Sequence, residues 1–195
     1  MGLESAYYQT SVELGQQFQN NNKSWDGRDT FKYRRQIRDL VKKYNCKTLL
    51  DYGCGKGHQW SEEFVFLPDE HLQKYKDWLG VNQVSLYDPC VEKFSNEPEL
   101  KNYDIVTCTQ VVGSIPDLDI PWVKDRLMAF TGKVCFIGLI DPVILPKGKK
   151  QLYDPEYFSV KRSIEWYKQQ FSDWTGSELV WWFKGKQNYP EDWSI

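Results

Sequence analysis

Histidine is nearly missing from this chain, with only His58 and His71 among 195 residues. That scarcity excludes a multi-histidine metal centre, although carboxylates alone can bind magnesium. The five cysteines, at 46, 54, 90, 108 and 135, are odd in number and form no C-x-x-C pair. They read as small buried hydrophobes of a reducing compartment, not as disulfides or a zinc site. No sign of charge dominates: the formal net charge is −2, which gives no pull toward nucleic acid or an anionic membrane. No apolar run approaches the length of a membrane span. The N-terminus MGLESAYYQTS has neither the basic start nor the apolar centre of a secretory leader, and Ala6 stands where myristoylation wants Ser or Thr. These absences leave a cytoplasmic protein, with membranes excluded as partners and nucleic acid disfavoured.

What is present suits one globular domain. Hydrophobic residues make up 41% of the chain, enough for a packed core, and 195 residues are too few for two comfortable domains. The most informative segment is Thr48 to His58, TLLDYGCGKGH. Thr48-Leu49-Leu50 is short, apolar and partly β-branched, as a buried parallel strand should be. Gly53, Gly55 and Gly57 then give a loop that can take positive φ and let a ligand approach the backbone. A helix starting near Gly57 would aim its free N–H groups at that ligand. Two better-known glycine loops do not fit. A dinucleotide fingerprint needs a third glycine where His58 stands, and a phosphate-cradling P-loop needs a hydroxyl where Gly57 follows Lys56. Val84 to Asp88 is a second strand ending in an acid, Asp104 to Pro116 holds a third, and Lys133 to Asp141 a fourth. Polar residues at one rim of parallel strands mark where an open α/β sheet binds its ligand.

The pattern D-x-G-x-G-x-G over Asp51 to Gly57 resembles motif I of the class I S-adenosylmethionine-dependent methyltransferases. Asp104 to Pro116 resembles the strand of that family written D-x-V-x-x-x-x-V-L-x-H-I-P. The resemblance spans roughly residues 45 to 142. It implies an α/β fold, a Rossmann-like three-layer sandwich with a mostly parallel, doubly wound sheet. Residues 1–195 would form one domain, 1–45 an N-terminal helical cap and 46–195 the core. The implied cofactor is S-adenosylmethionine, with S-adenosylhomocysteine as product and a small molecule or a modest polar polymer end as methyl acceptor. Asp51 would contact the methionyl ammonium through water. Gly53, Gly55 and Gly57 would let the backbone pass beneath the methionyl and ribose portions. Asp88, followed by Pro89, would take the ribose hydroxyls, and Thr109 and Gln110 would line the methionyl end. Methyl transfer is an in-line displacement in which alignment supplies much of the acceleration, so no metal and no nucleophilic side chain are implied.

Departures from the family pattern bear on the acceptor. Gln110 and Ser114 stand where relatives often carry an acid and a histidine, so a histidine general base is lost from that stretch. Asp141, at the same rim, and Gln110 itself are the remaining candidates for a catalytic role. Neither D/N-P-P-Y/F nor a Pro-Cys nucleophile follows the Asp104 strand, which argues against methylation of DNA bases. Two other readings stay open: a catalytically silent S-adenosylmethionine-binding module, and an enzyme that cleaves S-adenosylmethionine without an acceptor.

The flanks carry weaker signals. A helix is expected near 5–19, and another from Phe31, with Asp29 or Thr30 as its N-cap and Lys32, Arg34, Arg35 and Arg38 largely on its outer face. Thirty residues separate Gly57 from Asp88, with room for a loop at Leu67 to His71 and a short helix from Lys74 to Leu79. Only fifteen separate Asp88 from Asp104, so the strand after the ribose-acid strand should be short or missing. The adenine would then rest on loop residues near Cys90 and on Glu99-Leu100. Phe158 to Val160 reads as a short strand, Ser163 as the cap of a helix over 164–171, Leu179 to Phe183 as an antiparallel edge strand, and the tail from Asn188 as irregular. Trp25, Trp122, Trp166, Trp181 and Trp182 are candidates for a lid or a stacking platform. Arg28 or Arg35 is a candidate for the cofactor carboxylate.

Overall fold

A computed structural model describes residues 26–68, 71–99, 102–140, 162–184 and 193–194, with isolated positions between 9 and 17. Its centre is a six-stranded sheet. The strands are β1 (Thr48–Tyr52), β4 (Gln83–Tyr87), β5 (Tyr103–Thr109), β6 (Thr131–Ile140), β7 (Glu178–Lys184) and β8 (Trp193–Ser194), in the order β4-β1-β5-β6-β7-β8. The first five run parallel, and β8 alone pairs antiparallel. A separate hairpin joins β2 (Val65–Phe66) to β3 (Gln73–Lys74). The α-helices are α1 (Arg34–Lys43), α2 (Tyr75–Leu79), α3 (Ile120–Phe130) and α4 (Ile164–Gln170).

Alternation along the strands sends side chains to opposite faces, and each face has its own core. Leu49, Ile105, Val134, Phe136 and Val180 pack with Ile37 and Val41 of α1 and with Tyr75, Trp78 and Leu79 of α2. Leu50, Val106, Cys108, Cys135, Ile137, Leu179 and Trp181 pack with Val123, Leu127 and Phe130 of α3 and with Tyr167 of α4. Helices therefore cover both faces of a mostly parallel sheet, the layered α/β architecture that near-continuous apolar strands require. Cys46, Cys54, Cys108 and Cys135 are buried and Cys90 is half-buried, all five as free thiols.

Several expectations change. Leu179 to Phe183 does form a strand, but β7 runs parallel to β6, from Val134 opposite Glu178 to Ile140 opposite Lys184. The long connection through α4 is the crossover that a parallel neighbour needs. The tail is not wholly irregular, since Trp193 pairs with Trp181. No α-helix follows Gly57; a three-residue 3-10 turn, His58–Trp60, takes its place and leads to the hairpin. The helix expected from Phe31 begins as a 3-10 turn, Thr30–Tyr33, with no side-chain cap from Asp29, and becomes α-helical only at Arg34. The edge position of β4 agrees with the short spacing after Asp88: the described residues there hold only a 3-10 turn, Glu92–Phe94. Ser163 caps α4 by accepting from the Trp166 N–H. Phe158 to Val160 lies outside the described residues. Among the described residues no helix is long and apolar enough to cross a membrane.

Candidate functional site

From β1 the chain passes outward to β4, then returns across to β5 on the other side of β1. This reversal opens a crevice at the carboxyl ends of the strands, the usual ligand position in an open parallel sheet. A cavity lies there. Gly53, Cys54 and Gly55 after β1, Asp88 to Cys90 after β4, and Thr109 to Val111 at the end of β5 line it, and Gly27, Asp29 and Thr30 close it from the N-terminal side.

The glycine loop is tightly held. Gly53, Gly55 and Gly57 all have positive φ, at 81°, 56° and 63°. A Cβ on Gly53 would come within 2.1 Å of the Val111 side chain, so side chains are excluded where β1 and β5 part. The N–H groups of Gly53 and Cys54 both donate to the Tyr87 carbonyl, at 2.7 and 3.0 Å, which fastens the loop to the end of β4. The N-terminal segment docks on the same loop: His58 N–H donates to the Asp26 carbonyl at 3.1 Å, and Gln59 N–H to the Gly27 carbonyl at 3.2 Å.

Asp88 sits at the tip of β4, 8% exposed, on the cavity wall. One carboxylate oxygen accepts the Gly55 N–H at 2.8 Å and the other the Cys90 N–H at 2.8 Å. Each oxygen keeps a second lone pair, which suits a ligand hydroxyl. Burial raises the pKa of Asp88 while the two N–H groups pull it down, and the net direction is upward.

Asp51 does not line the cavity; it lies beneath it, fully buried. One oxygen accepts from the hydroxyls of Thr30 (2.8 Å) and Thr107 (2.9 Å), the other from Gln59 Nε2 (3.1 Å) and Trp60 Nε1 (2.7 Å). Burial raises its pKa against these four donors. Thr30 spends its only proton on Asp51, so the 2.9 Å contact between Thr30 and Thr109 has the Thr109 hydroxyl as donor. The hub thus ties the N-terminal segment, β1, β5 and the post-glycine turn together under the cavity floor.

Gln110 has a left-handed backbone, φ 61°, an uncommon state for a side-chain-bearing residue. Its N–H donates to the Gly138 carbonyl at 2.8 Å, and its amide Nε2 donates to the Tyr33 hydroxyl at 2.6 Å. Tyr33 fits only because Gly138 lacks a side chain: a Cβ there would meet the Tyr33 ring at 2.9 Å. Beyond Gln110, the rim loop carrying Ser114 and Ile115 is held by Arg162, whose guanidinium donates to the carbonyls of Val112 (3.1 Å) and Ile115 (2.5 Å) and pairs with Asp117.

The cavity thus brings together Gly53, Gly55, Asp88, Pro89, Thr109 and Gln110 among the residues predicted from sequence. Gly57 packs beside it, against Phe94 and Leu86. Asp141, Trp25 and Leu100 lie outside the described residues. Cys90 is on the wall and Glu99 is not. Trp181 is fully buried, Trp122 and Trp166 pack on the same core, and Trp182 on the opposite one, and none of these four lines the cavity. Arg28 pairs with Asp26, and neither it nor Arg35 reaches the cavity. Sequence reasoning missed Gly27, Thr30 and Gln59. Asp26-Gly27 is a turn-forming pair, whereas the link from Thr30 to Asp51 exists only in three dimensions. Among the described residues no group of three or more His, Cys, Asp or Glu could hold a metal ion. Comparison with protein-family models, with curated proteins and with solved structures finds no match to this chain.

Proposed function

We propose that the chain is an S-adenosylmethionine-dependent methyltransferase acting on a small-molecule acceptor. The observation that carries this reading is the convergence of three strand ends on one cavity: a glycine loop after β1, a buried acid after β4 and a polar pair, Thr109-Gln110, after β5. S-adenosylmethionine supplies a methyl group on a sulfonium, whose positive charge is lost on transfer. The residues present fit that molecule. Asp88 has acceptor capacity left for a ribose diol. The side-chain-free turn at Gly53 and Gly55 admits a ligand close to the backbone. Pro89, Cys90, Val111 and Ile115 give apolar walls for a purine and a thioether. Asp51 acts through others, by fixing Thr109 and the segment around Thr30.

Calorimetric titration of S-adenosylmethionine into the wild type and Asp88→Ala tests the reading. Micromolar binding is expected, weakened about tenfold or more by Asp88→Ala, the size of a lost hydrogen bond to a charged group. Absence of binding to folded wild type would reject it. A second reading, a catalytically silent S-adenosylmethionine-binding module, draws on Gln110 and Ser114, neither of which can serve as a general base. Cofactor binding without transfer to any acceptor would favour it.

A further inference from the structure

Gln110 is a polar side chain at the β5 end of the cavity that a second residue holds in place. Its amide nitrogen is committed to the Tyr33 hydroxyl at 2.6 Å, and the Tyr33 ring is locked across Gly138. Among the described residues its carboxamide oxygen has no partner, and the left-handed backbone restricts where the side chain can go. The described cavity lining contains no histidine or lysine. Its two carboxylates have other partners: Asp29 pairs with Lys32, and Asp88 accepts two backbone N–H groups, with its remaining lone pairs assigned to the ribose diol in the reading above. Its thiols are poor bases for a neutral site, since burial pushes Cys90 up to about 12 and Cys54 higher still.

We propose that Gln110 is the acceptor-recognition residue and that the methyl acceptor is an amine nitrogen, whose N–H donates to the Gln110 carboxamide oxygen. This rests on the methyl-transfer reading above. A carboxamide cannot take a proton at neutral pH, so it orients the nucleophile without deprotonating it. An alcohol would need a base. An amine needs no protein base: it enters as the neutral amine, its ammonium proton already lost to water, and its lone pair forms the carbon–nitrogen bond as the carbon–sulfur bond breaks. That bond's electron pair returns to sulfur as the thioether, and the methylated ammonium gives its proton to solvent. Tyr33 is a positioning residue that acts through Gln110.

The test uses three adenosine analogues in which nitrogen replaces the sulfonium and carries 2-aminoethyl, 2-hydroxyethyl or propyl in place of methyl. Each is titrated into the full chain, alongside S-adenosylhomocysteine. The aminoethyl analogue should bind about tenfold more tightly than the propyl one, with hydroxyethyl between them, the increment of one hydrogen bond to a charged donor. Gln110→Gly removes the carboxamide while suiting the left-handed backbone, and should erase the preference once each analogue's affinity is taken relative to that of S-adenosylhomocysteine for the same variant. Tyr33→Phe frees the carboxamide and should shrink the preference to a few-fold. The inference is overturned if propyl binds as well as aminoethyl, if hydroxyethyl binds best, or if the preference survives Gln110→Gly. Failure of S-adenosylhomocysteine and every analogue to bind is a separate result, which overturns the cofactor reading and this inference with it.

Discussion

Asp51 is the residue on which the site's geometry depends most, and its substitutions separate charge from hydrogen-bond capacity. Four donors converge on its two oxygens, and the residue is fully buried. Asp51→Ala strands all four and should cost at least 3 kcal/mol, about the value for breaking a buried charged network. Asp51→Asn keeps the shape but swaps one acceptor for a donor. The Gln59 amide and the Trp60 indole can only donate to this position from where they sit, whereas the hydroxyls of Thr30 and Thr107 can turn and accept. The Asn should therefore place its NH2 toward the threonines and cost roughly 1–3 kcal/mol. Urea midpoints of the two variants check the order. Equal losses would mean the threonine hydroxyls cannot invert.

At the scale of elements, the unusual feature is the docking of residues 26–30 on the glycine loop. Gly27 has φ 79°, and a Cβ there would stand 2.3 Å from the Gly57 nitrogen and 2.5 Å from the Cys54 carbonyl oxygen. Gly80, which ends α2, has nearly the same backbone, φ 82°, with nothing within 4 Å. Gly80→Ala should cost only the left-handed strain, about 1–2 kcal/mol. Gly27→Ala should cost more in a thermal melt and also weaken S-adenosylmethionine binding, because the clash falls on backbone that cannot swing aside. Equal losses would show that the docked segment is loosely held. These elements differ in how far sequence betrays them. The β1 strand, its glycine loop and Asp88 are legible because apolar runs and alternating glycines are local signals. The direction of β7 is not, since an apolar run has no polarity, and only the length of the connection argues for a parallel neighbour. The turn after Gly57 misleads for a similar reason: Gln59 and Trp60 look like the start of a helix, yet both side chains are spent on Asp51. Thr30 looks like a cap and is a buried donor to a residue 21 positions away.

For the whole molecule, Asp51, Asp88, Asp104 and Asp173 divide into two pairs with opposite effects on stability, and their balance shapes how firm the fold is across the acid range. Asp51 and Asp88 have raised values, chiefly from burial. In the range above the ordinary carboxylate value, the folded chain holds more protons at these two sites than the unfolded chain does. Stability must therefore rise as pH falls through their raised values. Asp104 and Asp173 are lowered. At Asp104 partial burial pushes upward, but Lys133 and the N–H groups of Lys47 and Thr48 outweigh it; at Asp173 the Lys124 ammonium is the main cause. Their contribution is present above the ordinary value and is lost as pH falls through their folded values. Asp104 joins the start of β1 to β6, accepting the Lys47 N–H at 2.6 Å and meeting Lys133 at 2.9 Å, so its loss opens the sheet at the end opposite the cavity. Urea midpoints across the acid range should accordingly pass through a maximum on the acid side of neutrality before falling. In Asp51→Asn the rise toward that maximum should be smaller, and in Asp104→Asn the subsequent fall should be shallower. A monotonic decline of the wild type from neutral pH downward would mean that Asp51 and Asp88 ionise as ordinary surface acids. Binding should follow the same titration with the opposite sign: under the proposed function S-adenosylmethionine would use Asp88 as an acceptor, so its affinity should fall as pH drops through the raised Asp88 value while the apo fold grows firmer. Calorimetric titrations over that range read this divergence, and it separates a ligand anchored on the Asp88 carboxylate from one that merely fills the cavity.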